Sequence, residues 1–174
     1  IKKIKSGKLN KANKKHIVIL KKAFTRAKAE DEARIERLKK ENKPDFSKNI
    51  YETYLNLERR QSLIRPLLPL PGASFDLEDY TVQTEISKNN YADYLWKEGN
   101  RYLAQGTVSE ARNAYHSFWR LKQLNTNLSQ IDSLLKLAHF QGTDFVYVAI
   151  ENRTEQVIPS RLETAILDFD TYKL

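Results

Sequence analysis

The chain has 174 residues, 30% of them charged, with five Gly, five Pro and a formal net charge of +8. That length holds one domain with a sizeable core, or one domain plus the start of a second, and the composition favours helices over a loop-rich β fold. The absence of cysteine excludes a disulfide framework, a thiolate nucleophile and a cysteine metal site.

Methionine is absent too, which predicts a processed chain or a piece of a longer one, with room upstream for a signal peptide or lipid-bearing terminus. No run approaches the ~20 apolar residues of a transmembrane helix. The charge is concentrated at the start. Residues 1–28 hold ten lysines and Arg26 with no acid, leaving 19 basic against 22 acidic residues in the remainder. Such an imbalance fits an anionic surface, either lipid headgroups or nucleic acid, with Lys2, Lys3, Lys5, Lys8, Lys11, Lys14 and Lys15 as the contacts. It also fits a plain solvated helix face. Nucleic acid is the poorer match, because Phe24 is the only aromatic in the segment and stacking platforms need several.

Gly7 and Ala12 open a G-x-x-x-x-A spacing with His16 four residues on, which reads as the second half of a helix hairpin begun before Ile1. From Leu9 to Asn42 there is neither Gly nor Pro, and Ile17, Leu20, Phe24, Ala27, Ile35 and Leu38 recur at helical spacing. The pattern predicts one helix to about Thr25 and another through Lys40, or a single long bent helix. Lys43-Pro44-Asp45 stops it, and Asp45 or Ser47 is placed to cap the next. That helix, about Phe46 to Leu63, carries Ile50, Tyr54 and Leu57 on one stripe. Prolines 66, 69 and 71 and Gly72 then predict an extended, polyproline-like connector over residues 65–80, its leucines forming an apolar strap.

Two further helices are expected over Ser87–Gln105 and Val108–Leu124, and a third after Asn127, with Ile131, Leu134, Leu135 and Ala138 apolar, ending at Gly142. The first two carry a spaced set of small and large residues: Gly99, Tyr102, Gly106, Ala111 and Tyr115. Gly106 sits at the turn, where a left-handed backbone costs little without a Cβ. Gly99 and Ala111 leave room for the facing helix, and Tyr102 and Tyr115 fill the seam. Trp96 and Trp119 read as core residues. This spacing resembles the tetratricopeptide repeat (TPR), a helix hairpin of about 34 residues, and the Gly7–Ala12 spacing matches its second half. The likeness departs after Tyr115, where Phe118 stands in place of a small residue, which predicts wider helix packing, and no Pro follows the second helix. The resemblance implies an α-solenoid of hairpins over residues 1–142 that binds other proteins and performs no chemistry. Tyr91, Tyr94, Trp96, Asn100 and Arg101 are the candidate partner contacts.

At Asp144–Ile150 the period changes to D-F-V-Y-V-A-I, a strand wanting cover on both faces. Pro159 then opens a short helix through Arg161, Leu162, Ile166 and Leu167. A lone strand leaves its backbone unpaired, so residues 143–174 are expected to begin an α/β region or to pair with a partner chain. D-F-S-K-N-I-Y-E-T-Y from Asp45 and G-T-D-F-V-Y-V-A-I-E-N-R-T from Gly142 resemble TPR-like lipoproteins of Bacteroidota outer membranes. That resemblance implies a lipid-anchored subunit of a complex on the periplasmic face of an outer membrane; the alternative location is cytoplasmic.

No residue pattern here suggests catalysis, a cofactor or a metal. His16, His116 and His139 are scattered, the glycines form no phosphate loop, and the acidic clusters lack the alternation of a calcium loop. The expected fold is mainly α, with TPR-like hairpins followed by a short strand and helix. The expected function is a non-enzymatic protein-interaction scaffold. Competing expectations are a nucleic-acid-binding module using the lysine-rich helix and an accessory domain of a larger enzyme.

Overall fold

The computed structural model of the chain describes residues 11–124 and 129–147, together with 149, 151, 153, 157, 159–161 and 164. Its contacts divide the chain into two units, Ile1–Gly142 and Thr143–Leu174. The first unit is mainly helical, with α1 (Lys11–Glu41), α2 (Ser47–Ile64), α3 (Thr81–Gln105), α4 (Val108–Gln123) and α5 (Ile131–Gln141). Short 3-10 turns at Pro44–Phe46 and Arg65–Leu67 flank α2. Each helix packs against the one that follows it in the chain.

The segment expected as two helices or one bent one is the single helix α1 of 31 residues, about 46 Å long. Ile17, Phe24, Lys28, Ile35 and Leu38 are buried along it, a seam with helical spacing that runs unbroken through the acidic cluster at Glu30–Glu32. Asn42 closes the helix in a left-handed conformation (φ 47°), its amide donating to the carbonyls of Leu38 and Lys39 at 3.2 Å each. The expected cap by Asp45 or Ser47 is not used. Asp45 lies inside the 3-10 turn and Ser47 is already the first residue of α2, its amide bonded to the carbonyl of Pro44. The turn satisfies the first amide of α2 with backbone, and no side-chain cap bond is made there.

The connector also differs from a simple extended strap. Arg65–Leu67 prolongs α2 as a 3-10 turn, because Pro66 fits the opening position of a helical turn. The chain then reverses between Leu70 and Ala73 around Gly72 (φ 78°). Beyond it, Phe75 meets Phe24 edge to face at 5.5 Å.

Two apolar clusters hold the unit together. Ile35, Tyr54, Leu57 and Tyr80 join α1, α2 and the residue before α3. Tyr91, Ala92, Leu95, Ala114, Phe118, Leu121, Ile131 and Ala138 join α3, α4 and α5. The α3–α4 turn matches its expected chemistry at Gly106, which is left-handed (φ 70°); the Thr107 hydroxyl, not foreseen as a cap, accepts the amide of Glu110 at 3.2 Å.

The close approach is not where the spacing placed it. A Cβ on Gly99 would lie 2.5 Å from Phe118 Cε1, so Gly99 faces Phe118 and not Ala111. Side chains on a helix lean toward its N-terminus, so the Phe118 ring covers the level about one turn before its own Cα, which is where the antiparallel α3 presents Gly99. The large residue expected to widen the packing is wholly buried instead, in the space that glycine leaves open. Tyr102 and Tyr115 pack, partly buried, against the same cluster. Trp96 does so too, meeting Phe118 edge to face at 6.2 Å, whereas Trp119, expected in the core, is 48% exposed.

In the second unit, Asp144–Tyr147 and Ala149 carry no regular secondary structure; Val148 and Ile150 lie outside the described residues. The expected strand is thus not formed among the described residues. Phe145, Val146 and Tyr147 are exposed at 72%, 76% and 92%, and β-branched and aromatic preference builds a strand only where a neighbouring strand completes the ladder. Ser160, Arg161 and Thr164 are helical, while Leu162, Ile166 and Leu167 of the expected helix lie outside the described residues.

Replacing Gly99 by Ala gains about 1 kcal/mol of helix propensity but forces Phe118 to move, at about 1–3 kcal/mol. A lower unfolding midpoint is expected, and Gly99→Ala combined with Phe118→Leu should cost less than the two single losses added. Denaturant titration of the four proteins checks this; strict additivity would show that the two side chains are not in contact.

Candidate functional site

At the C-terminal end of α1 a groove of about 670 Å³ opens between the α1–α2 turn and the middle of α3. One wall is Leu38, Lys39, Asn42 and Lys43, continued by Pro44, Ser47 and Ile50. The other is a stripe of α3 (Ser87, Asn90, Tyr94 and Lys97 at helical spacing) edged by Asp93 and Glu98. Leu38, Pro44, Ile50 and the Tyr94 ring are its apolar lining, and Lys39, Lys43, Asp93, Lys97 and Glu98 bring both signs of charge to it.

The polar groups of the groove are held in defined states. Lys39 donates to the Tyr54 hydroxyl at 3.0 Å and to Glu36 at 3.4 Å, and that hydroxyl holds its ammonium above the ordinary value. Arg101 grips Glu98 with two hydrogen bonds of 2.7 and 3.1 Å, which keep the Glu98 carboxyl below its usual range. Burial, and next the Glu98 charge, push the Tyr94 phenol up, so it remains a neutral donor. Ser47 Oγ is buried with no hydrogen-bond partner among the described residues.

A second polar constellation lies further back along α1. Lys28, only 7% exposed, is bonded to Asp76 and Glu78 and lies 3.8 Å from Glu32. Arg60 pairs with Asp31, and Gln61, itself buried, accepts the amide of Glu78 at 2.9 Å. The Tyr80 hydroxyl donates to Glu32 at 2.6 Å; burial and that bond raise its phenol far above the ordinary tyrosine value. Every charge in this group faces an opposite charge or a fixed donor, and its members come from α1, α2 and the connector. The arrangement is a clamp that ties these three segments together.

The residues singled out in the sequence separate into distinct places. Tyr94 lines the groove. Tyr91, proposed as a partner contact, is in the core at 6% exposure and meets Tyr51 at 6.2 Å, so it is corrected to a packing residue. Trp96 packs on Phe118, and Asn100, partly buried, donates back along its own helix to the Trp96 carbonyl at 2.8 Å. Arg101 is exposed but occupied by Glu98 and stacked 4.4 Å from the Tyr102 ring. Lys14 and Lys15 are exposed on α1; Lys11 and Ala12 are helical. Lys2, Lys3, Lys5, Lys8 and Gly7 lie outside the described residues. The sequence reading missed Asn90, Asp93 and Lys97, which carry only helical polar spacing as a signal, and it missed the burial of Lys28.

Among the described residues, no group of three or more metal-ligating side chains is placed to hold a metal ion, and no helix is long and apolar enough to cross a membrane. Comparisons of the chain with protein-family models, with curated proteins and with solved structures find no match.

Lys28→Met keeps the apolar stem but leaves Asp76, Glu78 and Glu32 without their shared cation. A loss of about 1–3 kcal/mol in stability is expected at neutral pH. Burial pulls the Lys28 ammonium down, while its bonds to Asp76 and Glu78 and the Glu32 charge more than offset this and hold it above the ordinary lysine value. A raised folded value means that the contribution is complete below the ordinary lysine value and fades only as pH climbs past it. Chemical denaturation of both proteins across pH should show a gap at neutral pH that narrows in strong alkali. Equal stability at pH 7 would remove the clamp from the account.

Proposed function

We propose that this chain is a TPR-like helical scaffold of a protein complex, and that it acts by docking a segment of a partner protein in the groove between the α1–α2 turn and α3. The observation that carries the reading is the groove itself: the Tyr94 ring beside Leu38, Pro44 and Ile50, framed by charges of both signs. Aromatic anchors seated in a partly desolvated pocket supply a large share of binding energy at such surfaces.

The stacking of each helix on its successor supports a solenoid, as does the α3–α4 hairpin with its left-handed Gly106. The likeness to outer-membrane lipoproteins over Asp45–Tyr54 and Gly142–Thr154 supports a lipid-anchored subunit on the periplasmic face of an outer membrane.

A photo-cross-linking residue placed at Asn90, on the groove wall, should capture one defined protein species in the native host. The same residue at Gln130, exposed beside α5, should not. Tyr94→Ala should weaken the captured interaction about tenfold or more. Cross-links that do not differ between the two positions, or that survive Tyr94→Ala unchanged, would overturn the groove as the docking site.

A further inference from the structure

The first half of α1 has a second exposed face, separate from the groove at its other end. Ile17 and Phe24 turn inward, while Lys14, Lys15, Val18, Ile19, Lys21 and Lys22 are all exposed. Val18 and Ile19 stand 51% and 63% open to solvent, with a pair of lysines one turn before them and another just after. Arg26 is engaged by Glu30 at 2.6 Å, but those four lysines have no ion pair among the described residues, and Glu30 is the first acid of the whole chain. Beside this face, a cleft of about 620 Å³ lies between Lys21, Lys22 and the Gly72–Ala73 turn.

We propose that this face of α1 docks on an anionic phospholipid bilayer. Val18 and Ile19 enter the boundary between headgroups and acyl chains. Lys14, Lys15, Lys21 and Lys22 lie at the level of the phosphates, and a headgroup occupies the cleft against the Gly72 turn. Exposed aliphatic side chains framed by unpaired lysines match such an interface on both of its properties, charge and apolar depth. A nucleic acid would use the lysines alone, leaving Val18 and Ile19 without a role, and stacking aromatics are absent from the face. A solvated face would need neither the aliphatic pair nor the exclusion of every acid before Glu30. The proposal stands apart from the docking groove, because the two surfaces share no residue.

The test is co-sedimentation of the purified protein with vesicles of phosphatidylcholine alone and of phosphatidylcholine with phosphatidylglycerol, at low and high salt. Binding only to the anionic vesicles, weakened by salt, is expected. Lys21→Gln with Lys22→Gln should weaken it roughly 25-fold, about fivefold for each lysine. Val18→Ser with Ile19→Ser should weaken it severalfold even where salt has screened the charge; both positions are exposed, and circular dichroism confirms that the helices persist. Equal retention on neutral and anionic vesicles, or on neither, would overturn the proposal. So would anionic binding indifferent to the Val18 and Ile19 replacements, together with equally tight binding to a DNA duplex, which would assign the face to polyanions in general. Neither result would bear on the Asn90 cross-link.

Discussion

The contact on which the α3–α4–α5 half of the unit depends is Phe118 against the missing side chain of Gly99. Phe118 is a large, completely buried residue, and it lies in the same cluster as Leu95, Leu121, Ile131 and Ala138. Its ring can occupy that position only because α3 presents no Cβ there, with three ring atoms inside 3.0 Å of where one would be. Trp96 closes over the edge of the same ring, and Asn100 is bonded to the carbonyl of Trp96. The ring position therefore decides which side of α3 is core. Once Leu95 and Gly99 face inward, Tyr94 and Lys97 are placed toward the groove by helical geometry alone.

How far the sequence could be read follows from which features are local. The α3–α4 turn was legible because its chemistry is local to one residue: Gly106 takes the left-handed position. The extents of α2 and α4 were legible from hydrophobic spacing, to within a residue or two. The partner of Gly99 was not, since identifying it needs the lean of the Phe118 side chain as well as the spacing. Tyr91 and Tyr94 differ by only one turn, yet one is core and the other lines the groove. Periodicity marks α3 as amphipathic without saying which of two neighbouring aromatics falls at the edge of the stripe. Lys28 was counted within a basic run, because the acids that draw it inward come from a connector 48 and 50 residues away.

The D-F-V-Y-V-A-I segment shows the opposite limit. Its composition states a strong local preference, but a strand is a property of two segments, and Asp144–Tyr147 take no regular secondary structure, with Phe145, Val146 and Tyr147 exposed. The helices of the first unit need no such help, since their backbone bonds are internal and their apolar stripes find one another in chain order.

A stack in which each helix touches mainly its successor tends to come apart from its ends, one layer at a time. The polar clamp on α1 works against that. Lys28 to Asp76 and Glu78, and Glu32 to Tyr80, tie the first helix to chain that lies about 50 residues on, past α2 and up to the start of α3. Removing α1 from the stack would therefore also release the connector and the opening of α3, so α1 shares the fate of the helices that follow it. The clamp places the exposed lysine face of α1 in the same cooperative unit as the helices that line the groove.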